Sequence, residues 1–179
     1  MSVWTKSRHT PPHLRLDDTY YMITGTIYQQ KPFLKADDDK AFLLEAILEN
    51  HHQFQWKLSD WVILDNHYHL ITKSHIGKDL PKLIGRIHGK TSRLIKQRNR
   101  PVCQRFWWNY WDRCIRDEKD YYTRLNYIYH NPIKHGYVRD LREYRWSSFH
   151  DALEARGRDA LASQYRRYPF DELEIPDDF

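Results

Sequence analysis

The sequence predicts an α+β fold, an antiparallel β-sheet with helices packed mainly on one face. Three observations point there. Four runs rich in β-branched and aromatic residues lie at 20–28, 54–64, 67–72 and 106–115. Between and after them, stretches near 37–51, 79–99 and 117–131 place apolar residues at helical spacing. The resulting order is strand, helix, two strands, helix, strand, helix, which suits a sheet that buries one face under helices. At 179 residues the chain fits one domain with a short appendage. Residues 1–14, with Thr10-Pro11-Pro12, read as an extended arm and 15–139 as the domain. The C-terminal extension, 140–179, should pack on or near it through Tyr144, Trp146 and Phe149.

The elements follow in order. Tyr20 to Tyr28 (YYMITGTIY) is the first strand. Asp37-Asp38-Asp39 can cap a helix through about His51, with Phe42, Leu43, Ala46 and Ile47 on one face. Asp65-Asn66 marks a turn or bulge between the second and third strands. Asp79 is a candidate N-cap for the next helix, with Pro81 in its first turn. Leu80, Leu83, Ile84, Ile87, Leu94 and Ile95 form its apolar stripe, with Thr91 filling the gap, and Asn99-Arg100-Pro101 ends it. Phe106 to Ile115 is the fourth strand. The last helix of the domain starts near Asp117 and should stop at about Asn131, because Pro132 follows; Gly136 marks the exit turn.

Composition bounds the function. There is no run of about 18 apolar residues, so no membrane span is expected, and the first residues hold no apolar signal core. Cys103 and Cys114 form no Cys-x-x-Cys unit, which argues against a zinc knuckle or a disulfide framework and for a reducing cytoplasm. The net charge is +5 and is unevenly placed. Between Lys78 and Arg105 the only acid is Asp79, whereas the end of the chain carries Asp171, Glu172, Glu174, Asp177 and Asp178. Basic charge interleaved with 7 Trp and 13 Tyr suits unpaired nucleic acid, whose bases stack and whose phosphates need neutralising. An aromatic core with a solvated basic face accounts for the same composition.

His67-Tyr68-His69 lies in a strand, so the two histidines share a face and Tyr68 points the other way. Two neutral imidazoles side by side make a divalent-metal half-site. Two surface or hydrogen-bonded histidines are the plainer alternative, and the chain has 11 in all. There is no His-Glu-x-x-His. Two histidines and an amide oxygen would form a weak cage, suited to a cation also held by substrate phosphate. On the helix through residues 120–131, Asp120, Thr123, Arg124, Tyr127, His130 and Asn131 gather on one side. Tyr121, Tyr122, Leu125, Ile128 and Tyr129 gather on the other. Tyr127 thus stands on the polar face with Asn131 one turn beyond, and Arg124 could steer a phosphate. A tyrosine snorkelling from an amphipathic helix has the same pattern.

Taken together, Leu64-Asp65-Asn66-His67-Tyr68-His69-Leu70, the segment 110–117 (YWDRCIRD), the segment 127–136 (YIYHNPIKHG) and 144–148 (YRWSS) resemble the single-tyrosine HUH transposases. The likeness is to the IS200-like group, particularly the REP-associated tyrosine transposases, and covers roughly Leu14 to Ala152. It implies a ferredoxin-like sheet, His67, His69 and Asn131 as ligands of Mg2+ or Mn2+, and Tyr127 as nucleophile. The implied reaction nicks single-stranded or hairpin DNA, leaves a 5′-phosphotyrosine link and a 3′-hydroxyl, and transfers the strand. The implied setting is a bacterial-type cytoplasm, with nucleoid association when DNA is bound. The sequence departs from the pattern at Tyr68, where an aliphatic is usual, and at Tyr129-His130, where relatives often carry His first.

On the helix of residues 82–96, Arg86, Lys90 and Arg93 are candidate contacts to the DNA backbone, with a merely solvated face as the alternative. Trp107, Trp108 and Trp111 are candidates for base stacking or for the sheet core. Two other classes of function fit parts of the sequence. A non-catalytic or domesticated nucleic-acid-binding domain would bind without regard to metal, and a metal hydrolase would act through water without a covalent intermediate. The long segment after the tyrosine helix favours a monomer over a dimer.

Overall fold

The computed structural model describes residues 14–99, 105–171 and 173. Thr10-Pro11-Pro12, Arg100-Pro101, Cys103 and the acids at 172, 174, 177 and 178 lie outside the described residues. Four strands, β1 (Tyr20–Ile27), β2 (Lys57–Ile63), β3 (His67–Lys73) and β4 (Trp107–Cys114), form one sheet in the order β2-β3-β1-β4. All three pairings are antiparallel. With α1 (Asp37–Gln53) after β1 and α2 (Leu80–Asn99) after β3, the first part of the chain is a βαββαβ unit of ferredoxin-like topology.

Pairing places Tyr68 opposite Gly25 and Ile63, on the face that α2 covers. There the Tyr68 hydroxyl lies 2.9 Å from His88 Nε2, and the His88 ring stacks on Trp107 at 4.2 Å between centroids. Tyrosine fits at position 68 because residue 25 is glycine: a Cβ there would come within 2.4 Å of the Tyr68 ring. The apolar stripe of α2 is buried as predicted at Leu80, Leu83, Ile84, Ile87, Thr91 and Ile95. Helix α1 packs beside α2 and buries Leu43, Ala46 and Ile47. Its acidic triplet does not cap it by side-chain hydrogen bonding. The N-cap is Ala36, and Asp37, Asp38 and Asp39 occupy the first turn, where the helix dipole favours negative charge. Asp79 closes a 3-10 turn immediately before α2.

The third helix, α3 (Glu118–Lys134), packs on the other face of the sheet, so the helices divide between both faces. Asp117 caps it, accepting from Asp120 N at 2.8 Å. The helix does not stop before Pro132 but runs through it to Lys134, and Gly136, at φ 72°, turns the chain out. Proline this close to a helix end costs one hydrogen bond, and the turn is still closed by His135 N to Asn131 O at 3.0 Å. Beyond it, α4 (Phe149–Arg156) and α5 (Arg158–Arg167) pack against α3. Tyr144, Trp146 and Phe149 are buried, and Ser147 bridges to Val62 at the β2 edge. No helix among the described residues is long and apolar enough to cross a membrane.

Burial sets a pH dependence. It holds the His51 imidazole down to about 4 and the His88 imidazole down to about 3. Both rings are therefore neutral in the fold, while the unfolded chain takes up protons below about 6.5. Their contribution is complete above that pH and is lost as pH falls, at about 1.4 kcal/mol per pH unit for each ring. Burial raises the Asp60 carboxyl, which has the opposite sign: its penalty is relieved as pH falls toward its folded value, offsetting part of the loss. Urea unfolding at pH 7.5 and 5.5 should show a loss of roughly 2 kcal/mol at the lower pH. An unchanged midpoint would contradict the neutral, buried state of both rings.

Candidate active site

Strand alternation sends His67 and His69 to the face away from Tyr68, where α3 lies. His67 pairs with Thr26, and His69 sits between Thr24 and Val62. The two rings are 5.0 Å apart between centroids. Each is oriented through Nδ1: His67 Nδ1 lies 2.7 Å from Asn66 Oδ1, and His69 Nδ1 lies 2.8 Å from Thr24 Oγ1. Such contacts fix the tautomer and the aim of a metal-binding imidazole, so a cation would be met through Nε2 in both rings.

Helix α3 brings the remaining groups. Asn131 is fully buried, and its Oδ1 lies 3.2 Å from His67 Nε2. Its Nδ2 is buried with no hydrogen-bond partner among the described residues. A carboxamide in this state is held by what lies at its oxygen, and the two Nε2 atoms with one amide oxygen fit a small hard cation that keeps other positions for phosphate oxygens. Among the described residues no group of three or more His, Cys, Asp or Glu gathers to hold a metal, so this mixed set is the candidate.

The Tyr127 ring lies 5.6 Å from the His69 ring, edge to face. Only 4% of the residue is exposed, but its hydroxyl is in polar company: Lys134 Nζ lies 3.1 Å away. Phe170 closes the far side, 6.3 Å from the Tyr127 ring and 5.1 Å from His130. Tyr129 points elsewhere, donating to Asp60 Oδ1 at 2.5 Å, with its phenol pushed up by burial and by that carboxylate. The two tyrosines are thus separated as the helical wheel predicts. The polar face of α3 is nevertheless not solvated, because it is the face laid against the sheet.

His67, His69, Tyr127 and Asn131 therefore meet in a single chain. The candidate DNA contacts do not all join them. Arg124 is 3% exposed, pairs with Asp120 through Nε at 2.7 Å and approaches the Met22 sulfur, so it points away from solvent. Arg86, Lys90 and Arg93 lie on α2, across the sheet from the cluster, lining a groove of about 390 Å3 with Glu49, Asn50 and Gly89. Arg86 stacks over Phe54, and Lys90 pairs with Glu49. Two groups at the cluster were not foreseen: Lys134, and His135, whose ring is 5.0 Å from that of His67. Both lie past Pro132, where the expected end of the helix hid them. Lys134 is seven residues on from Tyr127, two turns along the same face, which would have been a usable signal.

Comparison with known proteins identifies the family. The family model of IS200-like transposases matches residues 16–128, a span that holds His67, His69 and Tyr127 and ends just before Asn131. A REP-associated tyrosine transposase of Escherichia coli (strain K12) is 31% identical over 118 residues, covering 64% of this chain and 67% of that protein. A solved REP-associated tyrosine transposase bound to a REP hairpin superposes with a TM-score of 0.66 at 24% identity, over 100% of this chain and 95% of the other, a likeness of fold. The chain belongs to the IS200-like transposases, a family of enzymes that cleave and rejoin DNA.

Proposed function

We propose that the protein nicks single-stranded or hairpin DNA of REP type through Tyr127 and transfers the strand by way of a 5′-phosphotyrosine intermediate. The observation that carries this reading is the convergence of His67, His69, Asn131 and Tyr127 from two segments far apart in sequence. The relatives' names add support, since one is a REP-associated tyrosine transposase and a structural neighbour was solved on a REP hairpin.

The Tyr127 oxygen attacks the phosphorus, the new O–P bond forms, and the bond to the 3′ oxygen breaks. The departing oxygen takes up a proton and leaves as a 3′-hydroxyl. A 3′-hydroxyl of another strand reverses the step and restores the phenol. A tyrosine phenol ordinarily ionises near pH 10, so its nucleophilic form needs help. The Lys134 ammonium, donating to the phenolic oxygen, favours the phenolate in both directions. His67, His69 and Asn131 would hold Mg2+ or Mn2+, which would supply Lewis-acid polarisation of the phosphate. Asn66 and Thr24 keep the imidazoles aimed. One chain provides every group, so a monomer suffices, acting in the cytoplasm and on the nucleoid when DNA is bound.

The test is incubation of the protein with labelled hairpin DNA carrying single-stranded flanks, with and without manganese. A denaturation-resistant adduct that requires the metal is expected. Binding alone, without an adduct and indifferent to metal, would favour the non-catalytic reading, and turnover without an adduct the hydrolase.

The α2 groove is the proposed seat for the DNA backbone away from the cut. Alanine at Arg86, Lys90 or Arg93 should each lower the slope of log affinity against log salt by roughly 1. Lys90 must give up Glu49 to do this, so its effect should be the smallest of the three. Unchanged affinity at physiological salt in the triple variant would remove α2 from the interface.

A further inference from the structure

A second recess opens on the same sheet face as the histidine pair. The β1–β4 register shifts between Gly25 and Ile27, so β4 advances three residues, from Trp107 to Tyr110, where β1 advances two. A bulge of this kind breaks the alternation and re-aims side chains. As a result Trp108 and Trp111 line one recess together, with Thr26, Tyr28, Gln29 and Gln30, in a volume of about 380 Å3. Thr26 is the strand partner of His67, and Trp111 is the partner of Thr24, which pairs with His69. The recess is therefore one strand away from the cluster.

Its lining has a consistent chemistry. Trp108 is 45% exposed, a large apolar ring left at the surface. Tyr28 lies beside it, with centroids 5.2 Å apart. The Arg105 guanidinium stands 4.4 Å over the Trp108 ring, fixed by Nε to Trp107 O at 3.0 Å and Nη2 to Asn109 Oδ1 at 3.1 Å. Gln29 and Gln30 both take left-handed φ values, 58° and 51°, which is strained for residues other than glycine and which Asp18 and Gln55 also adopt elsewhere. That loop is tied to the cluster: Asn66 Nδ2 donates to Gln30 O at 3.3 Å while its Oδ1 holds His67 Nδ1. Among the described residues no carboxylate lines the recess.

We propose that this recess takes one unpaired nucleobase of the DNA strand whose phosphate lies at the histidine pair. The base stacks on Trp108, Arg105 neutralises an adjoining phosphate, and the Gln29 and Gln30 carboxamides face the base edge, a group that carries both donors and acceptors. An aromatic platform with a guanidinium at its rim and no acid suits a base joined to phosphates better than a basic or apolar peptide. The assignment rests on the proposed cleavage site, because proximity to that site selects which base is held.

The test uses the full chain and hairpin DNA with and without its single-stranded flanks. Trp108→Ala should weaken binding of the flanked hairpin by about 5- to 140-fold, the range for loss of one base–aromatic stack. It should leave the flankless hairpin unchanged, and Trp108→Phe should recover most of the loss. Abasic positions placed one at a time along the flanks should include one at which Trp108→Ala has no further effect. Equal losses for both hairpins, or no abasic position that couples to Trp108, would overturn the proposal even if the Tyr127 adduct forms normally. Coupling without any adduct would leave the base site standing and sink the cleavage reading instead.

Discussion

Tyr127→Phe is expected to abolish the covalent DNA adduct, with strand cleavage down by at least about 10^3-fold, because removal of a nucleophile leaves only binding and electrostatic assistance. The phenylalanine ring can keep the edge-to-face packing against the His69 ring. DNA affinity should therefore change little, and the gel readout isolates chemistry. Tyr129→Phe is the control. Its hydroxyl serves Asp60, which also accepts from Ser148 and Tyr121, so the expected loss is in stability, about 1–3 kcal/mol, with adduct formation retained. Lys134→Met should fall between, slowing adduct formation without eliminating it, because it removes the cation beside the phenolic oxygen and leaves the nucleophile. Adducts equally abundant in wild type and Tyr127→Phe would exclude Tyr127 from the reaction.

His67→Ala is expected to have the next largest effect, through the metal. Its loss removes one imidazole and also the group that meets Asn131 Oδ1, in a buried carboxamide whose Nδ2 already has no hydrogen-bond partner among the described residues. Manganese affinity, measured by calorimetry on the protein alone, should drop by more than about 100-fold, beyond the 10- to 100-fold usual for an outer-shell partner. Asn66→Ala and Thr24→Val supply that comparison, because they release Nδ1 of His67 and His69 without touching Nε2. The graded order, ligand above orienting partner, is the signature of a metal site. Identical small losses for all three variants would show that the histidines are structural, and metal-independent adduct formation in wild type would show that the cluster does not act through a cation.

The elements were legible in the sequence where side-chain period and punctuation agreed. The four strands, the α2 stripe from Leu80 to Ile95 and the turn at Asp65-Asn66 all follow from patterns a few residues long. The candidate site was legible in its residue types: His67 and His69 share a face because a strand alternates, and Tyr127 and Asn131 share one because a helix repeats. Pro132 misled because a local rule about helix interiors was applied at a helix end, where its penalty is small. That one misreading concealed Lys134 and His135. Arg124 misled differently. A charged residue on a polar helix face reads as a surface group, whereas that face is the one pressed on the sheet and Asp120 pairs with it there.

By itself, then, the sequence determined the α+β class, the strand–helix order and the inventory of imidazoles, carboxamide and phenol, since each depends on neighbours within one or two turns. Only the tertiary structure decided that α3 crosses the face opposite α2, which brings position 131 to within 3.2 Å of position 67. It also decided that a bulge between the Gly25 and Ile27 pairings turns two tryptophans toward the same side, and that an ammonium reaches the tyrosine oxygen. The reason is physical: local propensity fixes the period of a segment, but which faces meet is set by packing between segments distant along the chain, and no single stretch of residues encodes that choice.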